Sequence, residues 1–147
     1  MPPTSPDNTI NILLVEDDEV DILNVKRAFK KNHITNPLYF AGNGLEALEM
    51  LRGVNQQPSV VPEHRRLILL DLNMPRMNGI EFLQVLRADP NLKSIPVVVL
   101  TTSAAEQDRV EASQLNVAGY LLKPVQFSEF VELMAVLNKY WMLSKMP

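Results

Sequence analysis

The sequence contains no cysteine. That absence removes disulfide frameworks, zinc knuckles, thiol nucleophiles and iron–sulfur ligation together. No strong charge of either sign is present: 14 Lys and Arg stand against 17 Asp and Glu, for a formal net charge of −3. The basic residues are scattered, which argues against a nucleic-acid footprint. Long hydrophobic runs are missing too, since the apolar stretches fall far short of the roughly 20 residues that span a bilayer as a helix. The opening Met1-Pro2-Pro3-Thr4-Ser5-Pro6 has neither the basic start nor the apolar middle of a secretory signal. At 147 residues, what remains is the expectation of a single soluble, cytoplasmic domain.

Residues 1–9 are rich in Pro, Ser and Asn without periodicity and read as a flexible leader. Short aliphatic runs follow at 10–15, 67–70, 97–100 and 120–122. Continuous rather than alternating apolar character marks strands buried on both faces, as in a parallel sheet. A weaker run, Leu38–Ala41, reads as an edge strand. Helical spacing fills the gaps: Ile22, Val25 and Phe29; Leu45, Leu48 and Leu51; Ile80, Leu83 and Leu86; and a stripe of Phe127, Phe130, Val131, Met134, Leu137 and Trp141. Asn43 and Asn78 are each followed three residues later by Glu (Glu46, Glu81), the pattern of a helix cap with its reciprocal partner. Ser103 with Glu106 repeats it. Strands alternating with capped helices predict an α/β fold, a parallel sheet with helices on both faces and right-handed crossovers. Residues 53–66, polar and containing Pro58 and Pro62, read as an enlarged loop, and 138–147 run on past the expected end of the fold.

In an open α/β sheet, ligands bind outside the carboxyl ends of the strands. The polar residues falling there are Glu16, Asp17 and Asp18 after the first run and Asp71 with Asn73 after the third. Thr101, Thr102 and Ser103 follow the fourth, and Lys123-Pro124 the fifth. Carboxylates converging from two strand ends repel one another unless a cation intervenes, and an oxygen-only donor set suits Mg²⁺. Asp71 is the natural phosphoryl acceptor, because a carboxylate nucleophile can form an aspartyl phosphate. An ammonium (Lys123) and a hydroxyl (Thr101) would then bind phosphoryl oxygens.

The strings LLVEDD, LLDLNMPRMNG, VVVLTTSA and GYLLKPV resemble the receiver domain of two-component response regulators, over most of the chain from Ile10 to Leu137. The resemblance implies a flavodoxin-like (βα)5 fold, a doubly wound five-stranded parallel sheet in the order 2-1-3-4-5. It implies Asp71 as the phosphorylated residue, Asp17 as a direct Mg²⁺ ligand, Glu16 acting through a metal-bound water, and Asn73 through its backbone carbonyl. It further implies Thr101 as a switch hydroxyl, Tyr120 as a coupled aromatic that swings inward, and Lys123 as the phosphate-binding lysine, with a cis Lys123–Pro124 bond. The first acidic position is Glu where the family more often has Asp. The 53–66 loop and the aromatic tail resemble the small single-domain regulators that accompany cyanobacterial and bacterial phytochrome histidine kinases. The implied partner is therefore a sensor histidine kinase, with no direct contact to nucleic acid or membrane.

Simpler roles compete for several residues. Glu16, Asp17 and Asp18 could be a solvated helix start favoured by the dipole; Ser103 could merely cap the next helix, or modulate phosphoryl lifetime. Tyr120 could be an ordinary half-buried tyrosine, and His33 and His64 sit in polar segments as surface residues. Tyr140, Trp141, Met142 and Leu143 lie where a monomer has little core left, which predicts a homodimer through the last helix and tail. Beyond the receiver domain no length remains for an output domain, so the output would be protein contact or onward relay of phosphate to another kinase pathway. An aspartate-nucleophile phosphohydrolase would place a second acid two residues after the nucleophile; here that residue is Asn73, whose amide cannot protonate a leaving group. A pseudo-receiver scaffold would have lost an acid or the lysine, and all are present.

Overall fold

The computed structural model describes residues 9–74, 76–102 and 104–143. Strands and helices alternate along them as β1 (Asn11–Val15), α1 (Glu19–Lys31), β2 (Leu38–Ala41), α2 (Gly44–Arg52), β3 (Arg66–Leu70), α3 (Gly79–Ala88), β4 (Val97–Thr101), α4 (Glu106–Gln114), β5 (Gly119–Leu122) and α5 (Phe127–Leu143). The strands form one parallel sheet in the order β2-β1-β3-β4-β5. This is the flavodoxin-like arrangement, with β2 at an edge.

Residues alternate across each strand, so each central strand feeds two cores. Leu13, Val15, Ile68, Leu70, Val97 and Val99 pack under α2 and α3 with Ala47, Leu48, Phe82, Leu83 and Leu86. Ile12, Leu14, Leu67, Leu69, Val98 and Leu100 pack under α1 and α5 with Val25, Phe29, Phe130, Met134 and Trp141. Because both faces are covered, β1, β3 and β4 are buried throughout, which is why they read as unbroken aliphatic runs. Among the described residues no helix is long and apolar enough to cross a membrane.

The helix starts follow the caps in part. Asn78 accepts from the Glu81 N–H while Glu81 accepts from the Asn78 N–H, a complete reciprocal cap. Asn43 caps α2 through the Glu46 N–H, but the Glu46 carboxylate turns to the Gly42 N–H instead. The expected Ser103 cap is corrected in position: α4 begins at Glu106 with Ala105 in the cap position, and among the described residues no side chain caps it. Ser103 itself lies outside the described residues.

Three further expectations change. Leu45 is 47% exposed and Ala47 takes the core position on α2, because the helix starts at Gly44 and turns that face outward. Arg66 belongs to β3 rather than to the loop. Its buried guanidinium donates to the carbonyls of Leu51, Val61 and Pro62 and so folds residues 53–65 back onto the sheet. Burial lowers its pKa. Finally, α5 runs on to Leu143 and Trp141 is fully buried, with its ring 6.0 Å from that of Phe29. It is core, not an exposed tail residue. Tyr140, Met142 and Leu143 on the same turns are exposed.

Candidate functional site

Four of the five strands end on a residue of the site or run directly into one. Glu16 follows β1, and its N–H bonds the Ala41 carbonyl; Asp71 follows β3, its N–H on the Val15 carbonyl. Thr101 ends β4, and Lys123 follows β5 with its N–H on the Thr101 carbonyl. Each functional side chain is thus fixed by the hydrogen-bond ladder of a neighbouring strand. The sheet edge brings Glu16, Asp17, Asp71, Thr101 and Lys123 together.

Asp71 is buried. Its Oδ1 accepts from the Thr101 hydroxyl at 2.9 Å and from the Asn73 N–H at 3.3 Å, and its Oδ2 lies 3.8 Å from the Lys123 ammonium. The loop that follows is tight: a Cβ on Gly79 would lie 2.6 Å from the Leu72 Cα and 2.7 Å from the Asp71 carbonyl oxygen. Only glycine lets α3 start this close to the acidic residue. Tyr120, half-buried in β5 opposite Val99, packs on the α2–α3 core. His33 and His64 are exposed.

Oxygen atoms of Glu16, Asp17 and Asp71 all lie within 4.8 Å of one another. Glu16 and Asp71 are buried while Asp17 faces solvent. Burial pushes the Glu16 carboxyl up to about 7, against the pull of Lys123 and with the charge of Asp71 adding to the rise. A cluster of hard carboxylate oxygens, open to water on one side, has the chemistry that fits a small divalent cation.

Lys123 is nearly enclosed. Its ammonium donates to Glu16 Oε1 at 2.6 Å and to Asp21 Oδ2 at 2.8 Å. Burial alone would lower its pKa, but the bonds to Asp21 and Glu16 outweigh this and hold it above its ordinary value. Asp21 was not legible as a site residue, because an acid in the first turn of a helix has an ordinary role there. The Lys123–Pro124 bond is trans, contrary to the resemblance. Trans is the form an X–Pro bond prefers by about 0.5–1 kcal/mol.

This sheet edge and fold define a phosphoryl-signalling receiver, and the chain belongs to the response regulator receiver domain family, which it matches over residues 12–135. It is a response regulator of two-component signalling, related to phytochrome response regulators. Response regulator Rcp1 of Synechocystis sp. (strain ATCC 27184 / PCC 6803 / Kazusa) is 37% identical over 132 residues, 89% of this chain and 88% of that protein. The structure of its Mn²⁺-bound form superposes with a TM-score of 0.81 at 34% identity, covering 94% of this chain and 99% of the other. The phosphorylated cyanobacterial phytochrome response regulator RcpA gives a TM-score of 0.81 at 33% identity, covering 95% and 99%. The probable methanogenesis regulatory protein FilR2 of Methanothrix harundinacea (strain 6Ac) is 34% identical over 131 residues, 89% of this chain and 83% of that protein.

Proposed function

We propose that Asp71 accepts a phosphoryl group from a phosphohistidine of a sensor histidine kinase of the phytochrome type. The observation that carries this reading is the carboxylate of Asp71, held at a strand end between the Thr101 hydroxyl and the Lys123 ammonium. In the transfer, the N–P bond of the donor breaks and its electron pair stays with the imidazole. An O–P bond forms to one carboxylate oxygen of Asp71. Glu16, Asp17, Asp71 and the Asn73 carbonyl would hold Mg²⁺, which when bound neutralises charge on the phosphoryl oxygens.

The chain's own residues supply the rest. Lys123 donates to a phosphoryl oxygen. Thr101, whose hydroxyl now serves Asp71, turns to the phosphoryl group, and Tyr120 moves inward beside it. The two arrangements differ in what Thr101 bonds, so phosphorylation shifts a two-state equilibrium. The domain takes this step without a separate catalyst beyond its donor, and slow hydrolysis of its own aspartyl phosphate resets it.

The readout is protein contact. Residues 10–137 form the receiver unit, and a second copy of this chain docks on the last helix and tail through Tyr140, Met142 and Leu143, which are exposed. Relay of the phosphoryl group onward to another kinase pathway is the alternative output.

Incubation with Mg²⁺ and acetyl phosphate, followed by intact mass measurement, tests the assignment. A single phosphate adduct is expected in the wild-type protein and none in Asp71→Asn. A wild-type protein that stays unmodified, or an Asp71→Asn variant that is modified equally, overturns it.

A further inference from the structure

We propose that Asp21 is a positioning residue that tethers Lys123 away from Asp71 and so sets how readily the site takes and keeps a phosphoryl group. This rests on the reading of Asp71 as the acceptor.

Asp21 sits in the first turn of α1, three residues after Asp18, the cap residue whose Oδ1 accepts from the Val20 and Asp21 N–H groups. An acid at that position ordinarily reaches back to the N–H of the cap residue. Here that N–H is already taken, because Asp18 donates to Glu16 Oε2 at 3.2 Å. The Asp21 carboxylate is released from the cap and turns instead to Lys123, 2.8 Å away. The cap of one helix therefore decides the partner of a lysine more than one hundred residues later in the chain.

The distances order the competition for the ammonium: Glu16 at 2.6 Å, Asp21 at 2.8 Å, Asp71 at 3.8 Å. Both short contacts pull Lys123 from the carboxylate it is to serve. Glu16 belongs to the cluster suited to a cation, so charge arriving there weakens its hold. Asp21 stands outside the cluster, so a cation arriving there does not compete for its carboxylate directly. A phosphoryl group on Asp71 must draw Lys123 off Asp21, or share it. Removing the Asp21 charge leaves the ammonium free to follow the phosphoryl oxygens.

The test is a double-mutant cycle on acetyl phosphate phosphorylation in Mg²⁺, with adduct formation and decay followed by intact mass. Asp21→Asn is expected to form the adduct about 3- to 10-fold faster and to lose it more slowly, the range of one partly buried charge pair. Asp21→Glu, which restores the charge, should stay within about twofold of wild type, and Asp21→Ser repeats the test with a second neutral side chain. In a Lys123→Met background the Asp21→Asn effect should vanish, because the tether acts through the ammonium. Rates unchanged in both neutral variants overturn the proposal. An acceleration that persists without Lys123 also overturns it, since it would reflect only the weaker field on an anionic donor. A wild-type protein that forms no adduct removes the underlying reading of Asp71; a wild-type protein that forms one, with unaltered neutral variants, removes the tether alone.

Discussion

The Lys123 ammonium serves several anions at the sheet edge, and the exposed member of the carboxylate cluster is Asp17. Binding to the folded state alone stabilises it by about 2.7 kcal/mol at a concentration 100 times the dissociation constant. Mg²⁺ should therefore raise the melting temperature of the wild-type protein, chelation with EDTA should reverse the rise, and Asp17→Asn should abolish it. Thermal melts with and without the metal decide this; an equal rise in Asp17→Asn would remove Asp17 from the ligand set. At this scale the sequence was informative where a polar residue directly followed an apolar run. Glu16, Asp71 and Lys123 each stand immediately after a strand, and Thr101 is the last residue of one, so their convergence could be read from order alone. Asp21 could not be read, because its partner depends on a cap hydrogen bond diverted by Glu16 in three dimensions.

The helices differ in how their ends are capped and tied to one another. α2 and α3 are joined where the Arg52 guanidinium meets Asp89 at 3.0 Å. The same carboxylate accepts the Asn91 N–H at 2.8 Å. That N–H first, then Arg52, holds the Asp89 carboxyl below its ordinary value of 3.8. A depressed folded-state pKa means the unfolded chain binds the proton more readily. The stabilisation is therefore fully present above about pH 4 and fades as pH falls through the lower, folded-state value. Asp89→Ala should cost about 1 kcal/mol at pH 7, the net worth of an ordinary hydrogen bond, with the gap to wild type closing in acid. A pH-independent gap in urea titrations would contradict this. Elements were legible where periodicity and caps agreed, as for α3 with Asn78 and Glu81. α4 was misplaced because it buries only Ala112 among its described residues, leaving no apolar stripe to fix its start. Gly53 ends α2 with a φ of +85°, and the loop beyond it owes its course to Arg66, whose carbonyl contacts no spacing rule encodes.

At the scale of the whole molecule, a parallel sheet covered on both faces followed from the buried strands and its strand order from the family resemblance, whereas the dimer expectation rested on four consecutive residues of which one proved to be core. Tyr140, Met142 and Leu143 are exposed on α5, Met142 at 61% and Leu143 at 86%. Sedimentation at micromolar concentration should find a dimer, and Tyr140→Ser with Leu143→Lys should yield a monomer that still folds, since neither side chain is part of the core. A wild-type monomer, with or without phosphorylation, would discard the interface. The fate of Trp141 has another use. It is the chain's single tryptophan, its indole N–H is buried with no hydrogen-bond partner among the described residues, and it rests on Phe29 of α1, the helix that carries Asp21. Its fluorescence is therefore an optical gauge, present without any label, of whether α5 keeps its seat against α1 as the site at the other end of that helix changes state.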